Sequence, residues 1–189
     1  PERVRLPKSF LTPVVSKPQY LSGCLFQADD LKAIRDRYLL TIPPDYDGAC
    51  SILNTYLRQG ESWGLDKNYK CRTRKPWYSV RRLLRPPDAF LGYMVKWRLR
   101  AAANLAGATS TNNVHRLFVR EDLRKQTPAL VGSLYNAVTA LSVELTGRVY
   151  AGGVLKIEPG EAARLRVPHP ALLRTVPVEA MDFALIAQA

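Results

Sequence analysis

The chain has 189 residues and is 47% hydrophobic, which suits one good-sized domain, or one with a small annex, around a real core and excludes extensive disorder. No apolar run approaches the roughly 20 residues a membrane helix needs, and Pro1-Glu2-Arg3-Val4-Arg5 lacks the apolar stretch of a signal peptide. Lys and Arg number 28 against 16 Asp and Glu, a net charge of +12, so the candidate partners are nucleic acid, an anionic membrane surface or an acidic protein.

Residues 1–23 are punctuated by Pro7, Pro13 and Pro18 and read as an extended connector, with Val14-Val15 as a short strand. Gly23 to Phe26 reads as a strand, and Asp29-Asp30 caps a helix from Leu31 to Tyr38. After the break at Pro43-Pro44-Asp45, Ala49 to Gln59 has helical spacing, with Ile52, Leu53, Tyr56 and Leu57 on one face and Gly60 at the C-cap position. Phe90 to Trp97 and Val114 to Val119 predict strands, Asn104 to Gly107 a short strand or turn, and Thr109 to Asn113 a polar loop. From Pro128 to Leu145 the spacing of Leu130, Leu134, Val138, Leu141 and Leu145 predicts one helix with a single apolar stripe. A glycine turn at Gly152-Gly153 leads into a strand ending at Ile157, a short helix opens at Glu158-Pro159-Gly160-Glu161, and a last helix is expected from Val178. The pattern lacks regular βαβ alternation, so the fold class is α+β with a mixed or antiparallel sheet and several helices. Composition marks three segments: 1–48, a connector and short helix; 49–168, the main domain; and 169–189, a tail.

The charge is not spread evenly. Between Lys67 and Arg100, eleven Lys and Arg oppose only Asp88, so this stretch holds ten of the twelve net positive charges. Clustered Lys and Arg neutralise phosphates and release counterions, and Arg also reads guanine by two parallel hydrogen bonds. Trp77, Tyr78 and Trp97 lie among these cations and either stack on an exposed base or pack beneath the Arg stems. Trp63 and Phe90 read as core residues.

Chemistry that would make the chain an enzyme is absent from its sequence. There is no GxxxxGK[ST] or GxGxxG loop, no dense carboxylate cluster and no close cysteine pair. Cys24, Cys50 and Cys71 are too widely spaced for a zinc site and are expected reduced and buried, in a cytosol. His115, in a strand, reads as structural or as a phosphate contact, and His169 as a loop residue between prolines. No catalytic residue and no metal site is assigned.

Two stretches carry a family resemblance. Tyr69-Lys70-Cys71-Arg72-Thr73-Arg74-Lys75-Pro76-Trp77-Tyr78, then Phe90, Tyr93-Met94 and Thr111-Asn112-Asn113-Val114-His115-Arg116-Leu117, resemble a Y-x-C-x-x-R-x-P-W-Y … F … Y-M … T-N-x-x-H-x-L pattern. Gly147-Arg148-Val149-Tyr150-Ala151-Gly152-Gly153 through Lys156-Ile157-Glu158-Pro159 resembles G-R-x-Y-G-G-G-x-x-K-x-E-P, with Ala151 where glycine is usual. Both patterns are those of the C-terminal region of adenine-N6 DNA methyltransferases of bacterial restriction-modification systems.

The resemblance implies a target-recognition domain that grips double-stranded DNA beside a catalytic domain, where the adenine is flipped out for methyl transfer. The family's Asn/Asp-Pro-Pro-Tyr/Phe signature is not present, and Pro43-Pro44-Asp45-Tyr46 does not replace it. The chain is therefore expected to be a piece of a larger protein of the bacterial cytoplasm. Its S-adenosylmethionine would bind an N-terminal methyltransferase domain rather than this chain. The resemblance places DNA contacts at Lys70, Arg72, Arg74, Lys75, Arg81, Arg82, Lys96 and Arg98, with Trp77 and Tyr78 shaping the loop or wedging near the bases. Asn112, Asn113 and His115 either face the DNA or form a turn, and Lys156 with Gly152 and Gly153 either meets a phosphate or closes a tight turn. The alternative is a free-standing basic nucleic-acid-binding module, or an interaction subunit whose basic face meets an acidic partner.

Overall fold

The computed structural model describes residues 4–34, 37–80, 83 and 85–168. The expected tail helix from Val178, His169, and the candidate contacts Arg81 and Arg82 lie outside the described residues. In chain order the elements are β1 (Leu11–Val15), β2 (Leu25–Phe26), α1 (Ala28–Ala33), β3 (Tyr38–Leu40), α2 (Ser51–Ser62), α3 (Tyr69–Arg72), β4 (Ala89–Gly92), β5 (Met94–Val95) and β6 (Ala101–Asn104). They continue as β7 (Thr109–Ser110), β8 (Val114–Leu117), α4 (Thr127–Gly132), α5 (Ala137–Thr146), β9 (Arg148–Tyr150), β10 (Val154–Lys156) and α6 (Pro159–Ala162). The class is α+β, with parallel and antiparallel pairings mixed. Packing groups the chain into two units that cut across the segments marked by composition: Pro1–Thr12 with Tyr38–Arg85, and Pro13–Arg37 with Pro86–Ala189.

The first unit is built on α2. Leu53, Leu57 and Gly60 recur at helical spacing and are buried, and Ile42, Phe10, Leu40, Tyr46, Trp77 and Tyr78 pack around them. Ile52 and Tyr56, expected on the same face, point outward. Two adjacent residues sit about 100° apart on a helix, and the small core here accepts only one of each pair. The helix also runs through Gly60 to Ser62 instead of stopping there. Gly60 is needed for space: a Cβ on it would meet the Trp77 ring at 3.1 Å. The chain reverses at Gly64, whose φ of 73° is left-handed. Trp63, expected in the core, is 65% exposed, because it caps α2 beyond its buried face.

The second unit is built on a four-stranded sheet ordered β2-β6-β4-β8. Alternate residues of its central strands enter two different cores. Ala89, Leu91, Ala101 and Ala103 meet Cys24, Val131, Val143, Leu155 and Ile157, while Phe90 and Ala102 meet Val15, Leu21, Phe26, Ile34 and Val114. Phe26 and Phe90 pack edge to face at 5.8 Å. Both faces are covered, so β4 and β6 run apolar over Ala89–Gly92 and Ala101 to Ala103 rather than alternating. A second sheet, β5-β10-β9, is antiparallel, with Leu155 opposite Val95 and Lys156 opposite Met94. β1 pairs in parallel with β7.

Five expected elements differ. The polar loop expected from Thr109 to Asn113 begins as the buried strand β7, because Thr109 and Ser110 pair with β1. The helix expected over Leu31 to Tyr38 is α1, which ends at Ala33, and Tyr38 begins a strand. The expected strand Phe90 to Trp97 breaks at Tyr93 into β4 and β5, which belong to different sheets. The strand near Asn104 begins earlier, at Ala101. The long helix expected over Pro128 to Leu145 is two helices. Asn136 leaves the helical conformation to cap α5, its Oδ1 accepting from the Thr139 N–H at 2.9 Å. The apolar stripe is divided with it: Val143 is buried, whereas Val138, Leu141 and Leu145 are exposed along a groove of about 590 Å³ that Ala163 to Arg166 also line.

Candidate nucleic-acid interface

Each unit carries some of the candidate residues. In the first unit, α3 and the turn after it hold Lys70, Arg72, Arg74 and Lys75 in one short run. Lys70, Arg72 and Lys75 are exposed and Arg74 is half-buried. The run is held from both ends. Asn68 accepts the Cys71 and Arg72 N–H groups at 2.8 and 3.0 Å, and beyond the cis Lys75-Pro76 bond Trp77 enters the α2 core. The Trp77 indole N–H donates to Glu61 at 3.0 Å, and its ring meets Tyr78 edge to face at 5.6 Å. Trp77 and Tyr78 thus shape the base of the cationic turn.

In the second unit, Asn113, His115 and Lys156 converge on a residue outside the candidate set, Tyr93. The Tyr93 N–H donates to the Asn113 carbonyl at 3.3 Å, its carbonyl accepts from the Ile157 N–H at 2.9 Å, and its ring lies 5.1 Å from the His115 ring. The His115 Nε2 bonds the Ile157 carbonyl at 2.6 Å, so this nitrogen carries the proton and joins β8 to the end of β10. His115 is therefore a structural residue at this face. Thr111 and Asn113 donate to the Ser16 carbonyl at 3.2 and 3.4 Å, which fixes their loop and leaves Asn112 exposed at its tip.

Lys156 is a caged cation. Its Nζ lies 5.3 Å from the Tyr93 ring and 5.6 Å from the Tyr150 ring, and 2.7 Å from Glu158. The hydrogen bond to Glu158, then that to Tyr93, pushes its amine above the usual lysine range, and Lys156 in turn holds the Glu158 carboxyl below its own. The turn at Gly152 and Gly153, with φ of 75° and 70°, closes the hairpin that sets Tyr150 beside Lys156.

Strand alternation puts Met94, Arg148, Tyr150, Val154 and Lys156 on one side of this sheet, opposite the buried Val95 and Leu155. Arg148 reaches the Glu161 carboxylate at 3.0 Å. Burial pushes that carboxyl up, but the hydrogen bond and charge of Arg148, together with backbone hydrogen bonds from Glu161 and Glu158, outweigh it and hold the group below its ordinary range. Lys96 and Arg98 follow β5 on the adjoining turn, with Lys96 exposed and Arg98 half-buried. Sequence reasoning left Tyr93, Arg148 and Tyr150 out of the candidate set, although all three fall inside the motifs that carry the resemblance.

Among the described residues no group of three or more His, Cys, Asp and Glu is placed to hold a metal ion, and no helix is long and apolar enough to cross a membrane. Cys24 is buried while Cys50 and Cys71 are half-buried, and all three are free thiols. Burial pushes the Cys24 thiol up, away from reactivity.

The fold and these motifs define a class. A family model described as the C-terminal domain of Type II methyltransferase M.Eco57I matches residues 2–188, and the chain belongs to that family. It is 28% identical over 175 residues to Type II methyltransferase M.XamI of Xanthomonas campestris pv. amaranthicola, covering 89% of this chain and 30% of M.XamI. It also shares its fold with part of the type IIG restriction endonuclease BpuSI, with a TM-score of 0.61 at 15% identity over 93% of this chain and 21% of that one. The chain thus spans less than a third of either relative.

Proposed function

We propose that this chain is the DNA target-recognition domain of an adenine-N6 DNA methyltransferase, working beside a catalytic domain that binds S-adenosylmethionine and transfers the methyl group. The observation that carries this reading is the coincidence of family and surface. A chain of a Type II methyltransferase family concentrates its positive charge on exposed short elements, Lys70, Arg72 and Lys75 in one unit and the Lys96 turn in the other. Membership of that family disfavours a free-standing module.

Phosphate contacts fall to the exposed cations, which are unburdened by burial. Lys156 and Arg148 are engaged by Glu158 and Glu161, so a phosphate must compete with a carboxylate there, which makes them orienting groups more than sources of affinity. Base reading falls to Asn112 at its loop tip and to the Arg residues, which have the donor geometry for adenine and guanine edges. The adenine-N6 specificity rests on the motif resemblance, and the bacterial cytoplasm is the expected setting.

The test is a titration of the chain into labelled duplex DNA at several salt concentrations, read by fluorescence anisotropy. A log–log slope equivalent to roughly five or more phosphate contacts supports the reading. Absence of binding at low salt, both for the chain alone and in the presence of the catalytic domain, overturns it.

A further inference from the structure

Trp97 is 89% exposed, although it sits between two buried residues, Val95 at 5% and Leu99 at 9%. Those neighbours are anchored in the same core as Leu91 and Leu155, and the Gly92 N–H donates to the Arg100 carbonyl at 2.7 Å where the chain returns. The turn Lys96-Trp97-Arg98 is therefore pinned at both ends, and the indole is held out on a rigid mount. The Lys96 Nζ lies 5.4 Å from the ring centroid, so a cation stands over the indole. The other two tryptophans differ: Trp77 packs half-buried against a core and bonds Glu61 at the surface, and Trp63 caps a helix.

An indole held this way offers a large flat stacking face with little side-chain freedom left to lose on binding. The cations on either side of it repel basic partners and attract a polyanion. The bases of intact duplex DNA are stacked on one another and offer no free face, so the partner must be a base already out of the stack. We propose that Trp97 stacks on an unpaired base of bound DNA, with Lys96 and its neighbours holding the flanking phosphates. This inference rests on the DNA-binding reading above and adds to it a preference for duplex with an unstacked base.

The experiment compares two duplexes of equal length, one fully paired and one carrying a single bulged 2-aminopurine, with the wild-type chain, Trp97→Ala and Trp97→Phe. The readouts are the ratio of the two affinities and the 2-aminopurine fluorescence, which stacking quenches. The wild type is expected to favour the bulged duplex by about tenfold or more and to quench the probe. Trp97→Phe keeps most of that ratio, and Trp97→Ala brings it close to one without quenching. Because the side chain is exposed, its removal leaves the core intact, and an unchanged circular dichroism melt checks this. A bulge preference and quenching that survive in Trp97→Ala, or a wild type without preference, overturn the stacking role while duplex binding stands. Failure to bind either duplex, with and without the catalytic domain, overturns both readings at once.

Discussion

The Tyr135 hydroxyl closes both backbone hydrogen bonds of Ala101, accepting from its N–H at 2.8 Å and donating to its carbonyl at 2.7 Å. β2 is only two residues long and pairs with Ala103 and Asn104, so it stops short of Ala101. A side chain from the break between α4 and α5 thus completes the sheet edge. Tyr135→Phe leaves both groups unpaired beside a fully buried residue and is expected to cost about 1–3 kcal/mol in urea unfolding. Burial also raises the Tyr135 hydroxyl above its ordinary value of 10, against the lowering effect of its Ala101 bond. A raised folded-state value means the unfolded chain loses the proton first, so this stabilisation is complete below pH 10 and declines as pH rises beyond it. The stability gap between wild type and Tyr135→Phe should therefore narrow above pH 10.

Gly147 ends α5 where there is no room for a side chain: an added Cβ would lie 2.8 Å from the Val143 carbonyl and 3.1 Å from both Ile157 and Leu155. Gly147→Ala is expected to destabilise by about 1–3 kcal/mol, since backbone on one side and core on the other must shift. Gly160→Ala is the contrast, because nothing lies within 4 Å of its added methyl and the position is helical. It should be neutral or stabilise by up to about 1 kcal/mol, and thermal melts of the two variants decide.

The two sides of α5 should answer substitution differently. Val143 is 2% exposed, whereas Leu145 is 77% exposed. Val143→Ala removes packed methyls and should cost about 1–3 kcal/mol. Leu145→Ser should change unfolding free energy by only about 0.5 kcal/mol. Equal losses would mean that the leucine row is covered in the isolated chain.

Neutralising one exposed cation should lower DNA affinity evenly across sequences and flatten the salt slope by about one unit, as for a lost phosphate contact. Lys70→Gln, Arg72→Gln and Lys96→Gln test this by anisotropy at several salt concentrations. Asn112→Ala should instead reduce discrimination between sequences with little change in slope. A variant set in which every change alters sequence preference and none alters the slope contradicts the assignment of these cations to phosphates.

Much of the fold was legible because local physics dominated it. Phe90, expected in the core, is fully buried, and the expected glycine turn before Val154 is a hairpin. The failures have a common source. The leucine row from Leu130 to Leu145 has perfect helical spacing, yet spacing cannot report that Asn136 gains more as a cap than as a helical residue. The run from Phe90 to Trp97 carries no mark of the sheet change at Tyr93. The burial of Ala101 to Ala103 was invisible, because alanine belongs equally well to helix and core. For the candidate site, the cationic turn was readable as a run of charge. The meeting of Asn113, His115 and Lys156 on Tyr93 was not, since it depends on β8 and β10 being brought together by contacts 42 residues apart in sequence.

One partner of β1 and the partner of β2 arrive late. Val14 pairs with Thr109, 95 residues further on, and Leu25 with Ala103, 78 residues further on, so one edge of β1 and the pairing edge of β2 stay open until then. Between them the whole segment Tyr38–Arg85 is laid down, and it belongs to the other unit. At a synthesis rate of about 5–20 residues per second, the early strands wait several seconds on the ribosome with their edges open. Their shortness and the prolines at 13 and 18 protect them meanwhile, since a two-residue strand and a proline-broken one offer little template to another nascent chain.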